Sequence, residues 1–249
     1  HRGAGVSYLL VHDDREYLRA PGDELHTDLG VVEIPEDVDP GTVLETHLGE
    51  PFVVRRLRGP DLFAHFERTG APMMPRDVGL VIGHTGIAAG DRVLDAGTGT
   101  GVLAAYLGRC HADVTSYEID GAFADVAREN MRLAGVAERV DVRTGDLTEC
   151  LDDAAEAGPF DAITLDTGDA PEVVAAAPDL LAPGGYVAVY SPFVEHSRAA
   201  VDAAREAGLV DTETVETIQR EMDFGDRGSR PSTAGVGHTG YLTFARNSV

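Results

Sequence analysis

The chain has 249 residues, 43% of them hydrophobic, which is ample for a core and permits one large domain or one plus a small one. Its formal net charge is −23, from 43 acidic side chains against 20 basic ones, and every basic one is an arginine. The acids are spread through segments of good hydrophobic periodicity, which excludes an acidic disordered tail and points to a halophilic protein: in molar salt the Debye length is about 3 Å, self-repulsion is screened, and counterion release contributes so little that net charge does not exclude RNA.

Residues 1–70 read as a small β-rich domain. "SYLLV", "HDDR" and "EYLRA" predict a hairpin, and "GVVEI", "TVLET" and "PFVVRRL" are further short alternating runs between Pro, Gly and Asp turns. No catalytic cluster falls there, so substrate or subunit contact is the expected role. "FERTGAPMMPRD" (66–77) reads as a linker, because two prolines and a glycine oppose regular structure.

Residues 71–249 form the second unit, in which strand and helix alternate from about residue 76. The expected strands are "RVLDAG", "DVTSYEID", "RVDVRTGD", "FDAITLD" and "YVAVYSP". Between them run the helices "GVLAAYLGRC", "GAFADVARENMRLAG", the weak "LTECLDDAAEAG", and "APEVVAAAPDLLAPGG", which is expected to end at its Pro-Gly-Gly stop. "VEHSRAAVDAAREAGL" adds a last helix, and "VDTETVETIQREM" and "GYLTFARN" alternate like closing antiparallel strands. Strands spaced by helices imply a parallel, doubly wound sheet.

In such a sheet the ligand sits at the carboxyl ends of the strands, near the switch in strand order. The glycines of "VLDAGTGTGVL" are Gly97, Gly99 and Gly101, with Val102 next, so the dinucleotide fingerprint G-x-G-x-x-G fails at its third glycine. A P-loop needs a lysine, and the chain has none. What remains is a glycine turn that meets adenosyl and amino-acid groups, with Thr100, Val102 and Leu103 completing it. Asp95 precedes the turn and suits a ligand ammonium. Glu118 ends the next strand, where a carboxylate accepts both ribose hydroxyls. Asp146 follows the third strand and suits an adenine amino group. Asp166 ends the fourth and faces the reaction position. Any one acid alone would read as a solvated or capping carboxylate; four at consecutive strand ends point to S-adenosylmethionine.

"VLDAGTGTGVL", "YEID", "GDL" and "LD" at successive strand ends resemble class I methyltransferases. "LHTDLG", "TGAPMMPRDVG" and "HTGYLTFAR" extend the resemblance over nearly the whole chain to the TrmI family of tRNA (adenine-N1)-methyltransferases. The resemblance implies an α/β fold: a Rossmann-like class I methyltransferase sheet with a small N-terminal β-domain. It also implies methylation of adenine N1 in the T-loop of tRNA (positions 57/58) by a homotetramer, archaeal members acting on two adjacent adenosines. The chain departs from the family at Met74, where an aromatic residue usually precedes the proline, and in the loop "LDTGDAPE".

Asp166 would then hold the adenine N6 amino group, stabilise the developing charge and take a proton. Tyr190, ending the fifth strand, reads as a base contact or as packing. His238 reads as structural more readily than as site-lining, and Met73 and Met74 as packing. Arg55, Arg56 and Arg58, with Arg227 and Arg230, are candidate phosphate contacts or partners of the acidic surface. Cys110 and Cys150 form no metal-spaced set and lie outside the fourth-strand loop where pyrimidine C5 chemistry would need a nucleophile. No signal peptide, spanning apolar run or lipidation motif is read, so a cytoplasmic protein is expected. Two alternatives stay open: a methyltransferase of the same fold for a small molecule or protein carboxylate, and a non-catalytic tRNA-binding subunit.

Overall fold

The structure is a computed structural model that describes residues 7–235 and 237–248; the first six residues of the expected N-terminal domain lie outside the described residues. The chain opens with β1 (Tyr8–His12), β2 (Arg15–Arg19), β3 (Glu24–Thr27), β4 (Gly30–Glu33), β5 (Val43–Glu45) and β6 (Pro51–Arg56). The β1–β2 hairpin forms as expected, within an antiparallel sheet of order β2-β1-β6-β5. Alternation in β6 turns Phe52 and Val54 inward, where they meet Leu10, Leu25, Val32 and Ile34 in a small separate core. β3 was not legible, because its four residues hold one buried apolar side chain, Leu25; it exists as the partner of β4.

Two helices follow that the sequence reading does not contain, α1 (Gly59–His65) and α2 (Pro75–Thr85). The expected linker therefore ends at Met74. Pro75 starts α2 instead of breaking it, since the first helical position has no use for the missing N–H. Leu57, Leu62 and Phe66 pack in the core of the large sheet, so that core reaches back before residue 70.

The remaining elements are β7 (Arg92–Ala96), α3 (Val102–Arg109), β8 (Asp113–Glu118), α4 (Gly121–Ala134), β9 (Val140–Thr144), α5 (Leu151–Ala157), β10 (Phe160–Leu165), α6 (Ala170–Leu180), β11 (Leu181–Ser191), α7 (Val194–Glu206), β12 (Val210–Glu216), β13 (Met222–Gly225), β14 (Gly228–Pro231) and β15 (Tyr241–Arg246). Seven strands form one sheet of order β12-β15-β11-β10-β7-β8-β9. The closing pair β12–β15 is antiparallel, and because β15 is also antiparallel to β11, β12 runs with the parallel set. Helices cover both faces, and period-2 alternation feeds both: Val93, Ala162 and Ala188 enter one core, Leu94, Ile163 and Val187 the other.

Three boundaries differ from expectation. α6 ends at Leu180, short of the Pro-Gly-Gly stop, because Leu181 already pairs with Phe160 at the start of β11. β12 ends at Glu216, and Met222 opens a separate, fully exposed hairpin, β13–β14. The chain reverses strand order between β7 and β10, which lie side by side with Thr164 opposite Asp95 and Leu165 opposite Ala96. Their carboxyl ends form the switch point.

One side chain of α3 makes a testable exception to good packing. The Tyr106 hydroxyl is shut away from solvent with no hydrogen-bond partner among the described residues. An orphaned buried hydroxyl costs about 1–3 kcal/mol. Tyr106→Phe is therefore expected to leave the denaturant midpoint unchanged or to raise it, and a loss of more than about 1 kcal/mol in urea unfolding would contradict this reading.

Candidate active site

The site begins where β7 stops. Gly97, Gly99 and Gly101 take φ of +85°, +52° and +83°, the left-handed region that glycine enters without a Cβ penalty. At Gly97 the need is also one of space: a Cβ would lie 2.1 Å from the Asp166 carbonyl oxygen. That contact, with the Asp166 N–H donating to the Ala96 carbonyl at 2.9 Å, closes the ends of β7 and β10 together. At Gly99 a Cβ would meet nothing nearer than 3.8 Å, so there the turn borders open space. Gly101 is the N-cap of α3.

Four carboxylates stand around this turn, each in a different state. Asp95 is buried, and both its oxygens accept hydroxyls, Oδ2 from Ser116 and Oδ1 from Thr164, each at 2.5 Å. Thr98 in turn donates to Ser116. Burial pushes the Asp95 carboxyl up, those two hydroxyls pull it back, and Glu118 adds repulsion. Glu118 is clamped by backbone: Oε2 accepts the Gly99 N–H at 2.8 Å and Oε1 the Asp120 N–H at 3.0 Å. Asp146 uses one oxygen, Oδ1, for the N–H and hydroxyl of Thr148.

Asp166 is the outlier. Its side chain is open to the cleft, yet protein encloses it on the remaining sides. That enclosure pushes its carboxyl up to about 7, and the Asp95 and Glu118 charges push the same way. Cleft water still solvates one side, so the shift depends on what fills the cleft. The arrangement favours a cation: a positive ligand among Asp95, Glu118 and Asp166 relieves repulsion that no neighbouring arginine relieves at Asp166.

The expected linker turns out to be a wall of this site. Asn130 of α4 is fully buried; its Nδ2 donates to the carbonyls of Glu67 (3.0 Å) and Thr100 (2.9 Å), and its Oδ1 accepts the Glu67 N–H (3.2 Å). Thr69 adds an N–H to the Thr100 hydroxyl at 3.2 Å. Residues 69–73 are thereby strapped over the glycine turn. Two adjoining hollows result, of about 300 and 110 Å³, which share Gly97, Gly99, Phe123 and Asp166. Between them they are lined by all ten residues expected to hold the cofactor: Asp95, Gly97, Gly99, Thr100, Gly101, Val102, Leu103, Glu118, Asp146 and Asp166. Ile119, Phe123, Leu147 and Val173 supply an apolar wall that was not anticipated. The apolar Ile119 directly after the strand-end acid Glu118 was the available signal. A larger hollow of about 480 Å³ lies at the opposite edge of the sheet, by Arg92, Asp113 and Val140 at the strand starts, away from the turn and its acids.

The residues fit S-adenosylmethionine. The glycine turn leaves room, the carboxylates suit a ligand bearing sulfonium and ammonium charges and ribose hydroxyls, and the apolar wall suits an adenine ring.

Tyr190 is not among the residues that line the two hollows; its hydroxyl donates to the Thr239 carbonyl at 2.6 Å, its ring lies against Gly240, and burial with the Asp77 and Asp166 charges pushes its pKa up. Thr239 also accepts from Arg76 at 3.0 Å and bonds Asp77, so the segments "MPRD", "VAVYSP" and "HTGY" meet at one residue beside the site. Burial pushes the Asp77 carboxyl up, against Thr239 and Arg76. His238 faces the Glu216 carboxylate (2.7 Å) and the Pro192 carbonyl (3.1 Å). Two acceptors favour the imidazolium, which raises its pKa; its role is to tie β12 to the end of β11. Met73 is buried and Met74 caps α2. Arg55 pairs with Glu16 at 3.3 Å, the acidic-surface pairing that stood as the other reading of it. Arg227 and Arg230 sit exposed on the β13–β14 hairpin.

Comparison with known proteins agrees with this geometry. Residues 64–227 match the family described as tRNA methyltransferase complex GCD14 subunit. The tRNA (adenine(57)-N(1)/adenine(58)-N(1))-methyltransferase TrmI of Methanocaldococcus jannaschii is 32% identical over 96% of this chain and 95% of its own length. The tRNA (adenine(58)-N(1))-methyltransferase TrmI of Thermus thermophilus is 31% identical over 96% of each. Among solved structures, a SAM-dependent O-methyltransferase from Thermotoga maritima superposes with a TM-score of 0.79 at 26% identity, covering 99% of this chain and 94% of that one. The tRNA (m1A58) methyltransferase TrmI of Aquifex aeolicus gives 0.70 at 21% identity over 98% and 97%, a likeness of fold.

The raised Asp166 carboxyl has a consequence for stability. Its folded pKa of about 7 lies above the unfolded value, about 3.9, so between the two the folded state holds the extra proton and stability falls as pH rises. Asp166→Asn removes that cost. The ligand-free variant is expected to melt higher than the parent, with a larger gain at pH 8 than at pH 5; equal gains at both would show that charge is not the cause.

Proposed function

This chain belongs to the family of the tRNA methyltransferase complex GCD14 subunit, and from that premise we propose that it methylates N1 of adenine in the T-loop of tRNA, at positions 57/58, using S-adenosylmethionine. The observation that carries the chemistry is the convergence of Asp95, Glu118 and Asp166 on the glycine turn, with Asp95 and Glu118 buried in the cleft wall and Asp166 exposed in it. When bound, S-adenosylmethionine supplies an electrophilic methyl group on a sulfonium, for which adenine N1 offers a neutral lone pair. The chain's own work is to position and to balance charge. Glu118, held by two backbone N–H groups, presents its remaining lone pairs to ribose hydroxyls. Asp146 keeps Oδ2 for an adenine amino group. Asp166 accepts from the N6 amino group of the target base and stabilises the positive charge that N1 methylation leaves. The target base must leave its stack to reach that carboxylate.

The alternatives are weaker. A non-catalytic tRNA-binding subunit has no need of Gly97, Gly99, Gly101, Glu118 and Asp166 together in one cleft. A small-molecule acceptor is favoured only by the O-methyltransferase description of the Thermotoga maritima protein. We also propose a homotetramer, cytoplasmic and adapted to high salt. The last rests on the net charge of −23 and the lysine-free composition; the first on the family. Among the described residues no helix is long and apolar enough to cross a membrane. Light scattering in molar KCl is expected to give about four times 26.3 kDa.

The deciding experiment incubates the protein with labelled S-adenosylmethionine and unmodified tRNA in molar KCl, then digests the RNA. Label in 1-methyladenosine is expected; cofactor binding with no labelled nucleoside would favour a small acceptor. Glu118→Ala should weaken cofactor binding by about 1–3 kcal/mol in calorimetry. Asp166→Ala should bind cofactor with modest loss but transfer methyl on the order of a hundredfold more slowly or worse. A wild-type single-turnover rate for Asp166→Asn would remove Asp166 from the chemistry.

A further inference from the structure

A group of arginines lies where the small antiparallel sheet meets α3 and α4, away from the cleft. Arg56 ends β6 and Arg58 caps α1, so they flank Leu57. Arg109, the last residue of α3, donates from Nη2 to the Leu57 carbonyl at 2.9 Å and from Nη1 to the Ala134 carbonyl at 3.3 Å. The Arg109 guanidinium is thereby anchored at Leu57, the residue between Arg56 and Arg58. The strand register adds a fourth. Tyr8 of β1 stands opposite Arg56 on one side and opposite Arg19 of β2 on the other, so Arg19, Tyr8 and Arg56 form a row on one face of the sheet.

Some arginines of the surface find acids: Arg15 with Asp28, Arg128 with Asp125, Arg139 with Asp113, Arg143 with Asp141, while exposed Arg198, Arg205, Arg227 and Arg230 show no such pair among the described residues. Arg55, on the opposite face of β6 from Arg56, pairs with Glu16. Arg19, Arg56 and Arg58 form no such pair among the described residues. One carboxylate, Asp61, accepts the Arg58 backbone N–H at 2.6 Å and offsets part of the charge at Arg109. Arg56 and Arg58 lower the pKa of Arg109 after burial does, so the group repels itself. What sets this group apart is its clustering: Arg56, Arg58 and Arg109 lie close enough to repel one another in a chain where 43 acids face 20 arginines.

We propose that Arg19, Arg56 and Arg58, backed by the fixed charge of Arg109, form a contact site for the phosphate backbone of the RNA substrate, separate from the cleft that takes the base. Guanidinium forks bind phosphate oxygens in pairs and keep that geometry when salt screens long-range attraction. Tyr8, between Arg19 and Arg56, offers a hydroxyl to the same backbone. The site rests on the reading of the protein as an RNA methyltransferase and extends it to where the RNA lies.

The test is equilibrium binding of an unmodified tRNA transcript to the full chain over a KCl series, which needs no methyl transfer and so is independent of the activity assay. The variant is Arg56→Gln with Arg58→Gln, both exposed, and the control is Arg205→Gln on α7. The double variant is expected to bind tRNA about tenfold more weakly, with the log–log salt slope shallower by about 1.5. S-adenosylmethionine affinity and the rate at saturating tRNA should not change. An unchanged slope would overturn the proposal. So would a lower mass in light scattering, which would give the arginines to a subunit contact. If the wild-type chain binds tRNA with this slope yet methylates none, the proposed reaction fails and the phosphate site stands.

Discussion

The structure depends on how closely β7 and β10 end. With a Cβ at Gly97 excluded by the Asp166 carbonyl, the two strands finish side by side and release their chains in opposite directions. The glycine turn, the α3 N-terminus and the Asp166 loop then share one opening. A side chain at Gly97 would push Asp166 away from the turn, and the carboxylates would no longer face a common ligand. The chemistry of the cleft is thus set by a backbone contact inside the sheet.

The second requirement is charge. Placing Asp95, Glu118 and Asp166 around one turn costs free energy in the empty site, and the surroundings reduce that cost selectively. Asp95 receives two hydroxyls and Glu118 two backbone N–H groups. Asp166 is left with its raised carboxyl open to the cleft. The groups that hold the site are stabilised, while the group that would meet the base is kept destabilised until a cation arrives. This is the usual trade between stability and reactivity at a functional site.

How much was legible follows from the range of each interaction. The β-α alternation from Arg92 to Glu206 was readable, because buried strands and amphipathic helices write their periods locally. The site acids were readable as well, since consecutive strand ends in such a sheet point one way. Where a boundary depended on a partner strand, reading failed: β3 exists through β4, and α6 stops early because Leu181 pairs with Phe160. Pro75 was misread because one residue type both breaks a helix interior and opens a first turn.

By itself, then, the sequence determined the fold class, the glycine turn, and ten of the residues that line the cleft, all through short-range spacing within one sheet. The tertiary structure decided what spacing does not encode. It turned residues 69–73 from linker into wall, through an Asn130 more than fifty positions away. It bonded the Tyr190 hydroxyl to the Thr239 carbonyl, and it paired Arg55 with Glu16 across the sheet. The physical reason is the same in each case: a hydrogen bond or an ion pair depends on which groups meet across the fold, and residues on unconnected elements carry no local periodicity that announces their meeting.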